Sequence, residues 1–155
     1  MHAVRFLQLA HALATVVWVG GMFFAHVCLR PAALATLEGP QRLQLWTAVF
    51  GRFFPWVWVS VVTLVATGHG IILQIGGLAH LPTHVYVMTG IGYVMAAIFA
   101  FIYFVPYARL RRAVAAGDWK AGAAAQDLIR RLVVTNLTLG LANVVLVFVL
   151  PLLPV

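Results

Sequence analysis

Imidazole is the side chain with ligand chemistry that this sequence gathers repeatedly at one end of its apolar segments. His2 and His11 open the first segment, His69 closes the second, and His80 and His84 lead into the third, so five of the six histidines share one level. Glu38, Asp118 and Asp127 all fall outside the apolar runs. A zinc hydrolase would want a carboxylate base or ligand near its metal, and none is close. Haem iron needs only one or two imidazoles, one per face, from facing helices. The pattern points to a haem or metal site near that end, with His11, His84 and His69 as the candidate ligands.

On the first segment Gln8, His11, Thr15, Trp18, Met22 and His26 follow steps of three or four, which puts them on one helical stripe. A polar stripe inside lipid turns toward protein, because hydrocarbon offers no hydrogen bonds. The plainer reading of His11 is a bond to a neighbouring helix through Thr or Asn. His69 sits in Thr67-Gly68-His69-Gly70, whose glycines admit either a flat macrocycle or another helix. If Ser60, Thr63 and Thr67 face the core, His69 faces away from it. A second metal reading uses copper, with His2, Met22, His26 and Cys28 spread along the first helix. His26 lies about 22 Å along a helix from His11, so the two cannot share a site. Asn136, Gly140 and Asn143 share one face of the last helix and read as helix packing with amide hydrogen bonds.

The elements that must hold these residues are read from the composition. The chain has 155 residues, of which 64% are hydrophobic and 8% charged, too apolar for a soluble domain. Four apolar runs, about 4–29, 53–75, 84–107 and 132–150, are each long enough to cross the hydrocarbon, and the helices are expected over about 4–29, 53–75, 84–107 and 118–150. The expected fold is all-α, a polytopic four-helix membrane bundle forming one transmembrane domain over 1–155. Glu38 to Arg52 reads as a short interfacial helix. Gly117 reads as a helix stop and Asp118 as the N-cap of a last helix that begins in the cytoplasm. One cysteine excludes an internal disulfide or a multi-cysteine metal site. The start of the chain lacks an Ala-x-Ala cleavage pattern, so a removable leader is not expected.

The formal charge of +7 is not a nucleic-acid signal here, because the basic residues sit in short connections between apolar runs. Nine of them, from Arg30 to Arg131, fall on one side, and only Arg5 falls on the other. The positive-inside rule makes that side cytoplasmic. Both termini and the histidine end then face outward, toward the periplasm of a bacterial inner membrane.

The segment from His11 through Thr15, Trp18 and Gly21 to Phe24 resembles the first helix of the CopD-like superfamily, as Thr67-Gly68 resembles its second. That superfamily includes the CopD copper-resistance domain and the HemJ-type protoporphyrinogen oxidases. Ala116-Gly117-Asp118-Trp119 and His84 resemble the HemJ-type proteins. The resemblance implies a four-helix bundle and, on the HemJ side, b-type haem with His11 as a functional residue and iron ligand. HemJ-type proteins carry His-x-Lys where this chain has His84-Val85-Tyr86. The loss of that charge argues against porphyrinogen oxidation and leaves Tyr86 as a candidate redox or proton-transfer group, or as part of the interfacial aromatic belt. The expected function is a haem b redox protein working with a quinone or porphyrin, alone, as a homodimer or in a larger membrane complex. The alternative is a CopD-like copper-binding or copper-transport protein without catalysis.

Overall fold

The computed structural model describes residues 2–74, 76–77 and 81–149. His80 lies outside them. Every described element is helical: α1 (His2–Phe23), α2 (Arg30–Thr36), α3 (Gly39–Gln74), α4 (Thr83–Ile102), α5 (Ala108–Ala115) and α6 (Trp119–Val149). A π-helical turn at Phe24–Leu29 joins α1 to α2, and another at Tyr103–Tyr107 joins α4 to α5. The result is four continuous helices of 35, 36, 33 and 31 residues, each apolar enough to span a membrane. This is a multi-pass helical membrane protein. At 1.5 Å per residue the helices run roughly 46–54 Å, against a hydrocarbon thickness of about 30 Å. The overshoot is where most of the basic residues ride.

Three boundaries differ from the sequence reading, the simplest being that of the third helix, which runs on past residue 107 to Ala115. The first helix does not end at Arg30-Pro31. Proline lacks an N–H and crowds the carbonyl four residues back, but here it follows a π turn, in which the Arg30 N–H reaches back five residues to the Ala25 carbonyl. Pro106 sits inside the second π turn. The interfacial piece at Glu38–Arg52 is not separate either. It is the start of α3, which continues through Pro55. Leu43, Trp46, Phe50, Phe54 and Val57 recur every three or four residues and are all buried, so one packed stripe holds the helix together across the proline.

The helix stops follow backbone chemistry. Gly117 has φ 69°, with Asp118 N–H bonded to the Ala113 carbonyl and Gly117 N–H to that of Val114. This is a Schellman end, where glycine avoids the Cβ penalty of left-handed backbone. The Asp118 carboxylate accepts from the Ala121 N–H at 3.0 Å and caps α6, as the sequence led us to expect.

The helices pair antiparallel. Leu7 meets Gly70 and His11 meets Gly68 along the α1–α3 seam, while Asn143 reaches Met88 and Asn136 reaches Met95 between α6 and α4. A column of rings fills the core. Phe50 stacks on Phe54 at 4.9 Å, and Phe54 makes edge contacts with Tyr107 at 4.9 Å and Phe99 at 5.4 Å. Large apolar side chains such as Phe6, Val16, Leu73 and Phe148 are exposed around the outside, where lipid would cover them.

Candidate functional site

His11 projects from α1 into the seam with α3. The seam closes because Thr67-Gly68-His69-Gly70 presents two residues without side chains. A Cβ at Gly68 would stand 3.6 Å from the His11 ring, and one at Gly70 would stand 3.1 Å from Leu7. These glycines therefore admit a helix. Thr67 is buried and its hydroxyl donates to the Thr63 carbonyl at 2.6 Å. Its oxygen has only lone pairs left for His11, whose Nδ1 stands 2.9 Å away. Nδ1 must therefore carry the proton and donate. That fixes the tautomer and leaves the Nε2 lone pair as the open coordination position. Thr15, one turn further along α1, donates to the His11 carbonyl at 3.0 Å. The partner that sequence could name only as Thr or Asn is Thr67.

His69 points away from the core, as the position of Thr67 implies. Its Nδ1 donates to the Val65 carbonyl at 2.8 Å, and its Nε2 accepts from the Tyr93 hydroxyl at 3.1 Å. Both ring nitrogens are engaged, so in this arrangement His69 ties α3 to α4 and offers no lone pair to iron. Tyr93 carried no functional reading in the sequence. The missing signal was rotational: pairing it with His69 requires knowing how two helices face each other. His84 is half-buried in the first turn of α4, and Tyr86 is exposed beside it.

The four candidate copper ligands of the first helix separate. His2 is exposed, Met22 is buried in the core, His26 is half-buried, and Cys28 is exposed. Among the described residues no three His, Cys, Asp or Glu side chains gather at one point. Soft donors are instead distributed: Met88 is half-buried on α4, and Met95 is buried beside Val19 and Gly140.

Two amides on α6, one buried and one half-buried, complete the interior. Asn136, 1% exposed, donates to the Met95 carbonyl at 3.1 Å, and Asn143 donates to that of Met88 at 3.2 Å. A carbonyl can only accept, so both amides are fixed in orientation. Their Oδ1 atoms are buried and have no partner. A buried acceptor left unpaired costs about 1–3 kcal/mol, and a cation or a donor would relieve it.

Two cavities lie toward the other end. One, of about 380 Å³, is lined by His26, Arg30, Arg42, Trp46, Gln126 and Arg130 among others. The second, of about 360 Å³, is apolar and lies among Trp18, Met22, Phe50, Phe54, Phe99 and Asn136. Neither is lined by His11, His69 or His84.

Residues 47–150 match the family described as copper resistance protein D. The chain belongs to that family. The CopD match runs from the third turn of α3 onward, so it takes in Thr67, His69, His84, Asn136 and Asn143 and leaves out His11, Met22 and His26. The CopD likeness read from Thr67-Gly68 lies inside the matched stretch, and the one read from His11 to Phe24 lies outside it. No curated protein and no solved structure matches the chain.

Proposed function

We propose that this CopD-family bundle handles copper as cargo, binding it or passing it along the helix interior without catalysis. Membership of the copper resistance protein D family carries the reading. The donor set is compatible with it. Imidazole suits copper in either common oxidation state, and thioethers select Cu(I). His11 would offer Nε2, held open by the bond from Nδ1 to Thr67. Met22 and Met95 would offer sulfur from the core. The unpartnered Oδ1 atoms of Asn136 and Asn143 are fixed acceptors of the kind a cation would relieve. Donors spread along the bundle suit transfer better than one closed site. On this reading the basic end is cytoplasmic and the His11 end faces outward.

Haem b, with His11 and His84 or His69 as ligands, has less behind it. His69 has both nitrogens bonded, and the two cavities described above open elsewhere. The deciding experiment is elemental analysis and an absorption spectrum of detergent-purified protein from cells supplied with both metals. Copper without matching iron, reduced by His11→Ala, is the expected result. A Soret band with sharp α and β bands on reduction, at about one haem per chain, would replace the copper reading with the redox one.

A further inference from the structure

The basic cavity and the apolar cavity adjoin, since Ala25, Phe50 and Val133 line both. The first has an anion-binding character. Arg30, Arg42 and Arg130 reach it from three different helices, with Trp46 and Trp119 on its walls. Arg42 is anchored by an Nη1 donation to the Leu37 carbonyl at 2.7 Å. Arg130 is partly neutralised by Asp127, which it meets at 2.5 Å and which also pairs with Arg131. With Asp127 counted, the lining keeps two positive charges. Gln126 faces the same cavity with a buried Oε1 that has no partner. An unpartnered amide oxygen there can accept a hydrogen bond from a headgroup hydroxyl. The adjoining cavity is walled by Trp18, Phe50, Phe53, Phe54 and Phe99. Each lies within the range of roughly 300–1,000 Å³ usual for small-molecule sites.

We propose that these joined cavities bind one anionic phospholipid, its phosphate among Arg30, Arg42 and Arg130 and one acyl chain among the aromatic rings. The charge pattern selects the headgroup, and the dry aromatic cavity selects the tail. The position selects the source: the arginines lie at the basic end of four spanning helices, where lipid phosphates sit, and basic pockets between such helices are lipid headgroup sites. The arginine cavity shares none of the donors proposed above for copper, whereas the apolar cavity is also lined by Met22 and Asn136, which that reading uses.

The test titrates phosphatidylglycerol, and separately phosphatidylcholine, into delipidated full-length protein in detergent, read by native mass spectrometry and tryptophan fluorescence. Wild type should bind phosphatidylglycerol at least tenfold more tightly than phosphatidylcholine, with millimolar inorganic phosphate a poor competitor. Arg30→Gln, Arg42→Gln and Arg130→Gln together should erase that preference. Arg109→Gln, Arg111→Gln and Arg112→Gln together remove as much charge from the same end and should keep it. Gln126→Leu, which leaves every charge in place, should weaken phosphatidylglycerol severalfold. Equal affinity of wild type for the two lipids would overturn the proposal, with no variant needed. So would equal losses in the two arginine sets, or full displacement by inorganic phosphate.

Discussion

Removing the acceptor that holds His11 should expose how much of the α1–α3 seam depends on one hydrogen bond. Thr67→Val keeps the branched shape and deletes the hydroxyl. It breaks the 2.9 Å bond from His11 Nδ1 and the 2.6 Å bond to the Thr63 carbonyl together. His11→Ala removes the first bond and also the ring that packs over Gly68, 3.6 Å from where a Cβ there would stand. Neither single change isolates the interhelical bond, but a double-mutant cycle does, because the Thr63 bond and the ring packing cancel. Interhelical hydrogen bonds in membrane bundles average about 0.6 kcal/mol and reach about 1.7. The Thr67 side is buried and the His11 side half-buried, so we expect a coupling of about 1 kcal/mol. Reversible unfolding of detergent-solubilised protein by a denaturing surfactant measures it. Thr67→Ser should retain most of the coupling. A coupling below about 0.3 kcal/mol, the usual scatter of additivity, would refute the claim that this bond holds the tautomer.

Three further outcomes follow from the packing and the helix ends. A Cβ at Gly140 would stand 2.9 Å from Val19 Cγ2 and 3.1 Å from Met95 Cε, and the stiff branched valine cannot yield as methionine can. Gly140→Ala should therefore cost about 1–3 kcal/mol by thermal unfolding, and Val19→Ala should partly restore it. Asp118→Ala should lower stability by about 1 kcal/mol in the same assay, whereas Asp118→Asn, which can still accept from the Ala121 N–H, should stay near wild type. If the basic end is cytoplasmic, Lys120→Cys in a Cys28→Ser background should react with a membrane-impermeant maleimide in inside-out vesicles and resist it in right-side-out ones. Labelling from the opposite side would invert the topology.

The four spans were legible because an apolar run longer than a membrane is thick has few alternatives to a helix. The helix ends at Gly117 and Asp118 were legible because their chemistry is local. The helix ends expected near residues 29 and 53 misled for a related reason. A proline marks a helix boundary unless something nearby compensates, and a π turn or a five-residue packed stripe is visible only in three dimensions. At the site, the stripe from His11 to Met22 could be read as core-facing, and its inner members are buried. The packing role of Asn136, Gly140 and Asn143 could be read as well. What stayed hidden was the angle of each helix about its own axis. Thr67 and His69 are two residues apart, and that angle alone decides which meets α1 and which meets α4. The arginine cavity was hidden for the same reason: its residues come from Arg30, Arg42 and Arg130, far apart in sequence, and each looked like an ordinary topology signal.

The hydrogen-bond chain from His11 runs to Thr67 and stops at the Thr63 backbone carbonyl, which has no proton to pass on. The imidazole is therefore a cul-de-sac. Its inner nitrogen cannot hand a proton through to anything, so a positive species must arrive and depart by the outer one. A metal ion and a single proton would contend for the same lone pair, one for one. If copper binds there, acid below the pKa of the free ring would release it with a slope of one proton per metal, and the ring would not relay charge across the bundle.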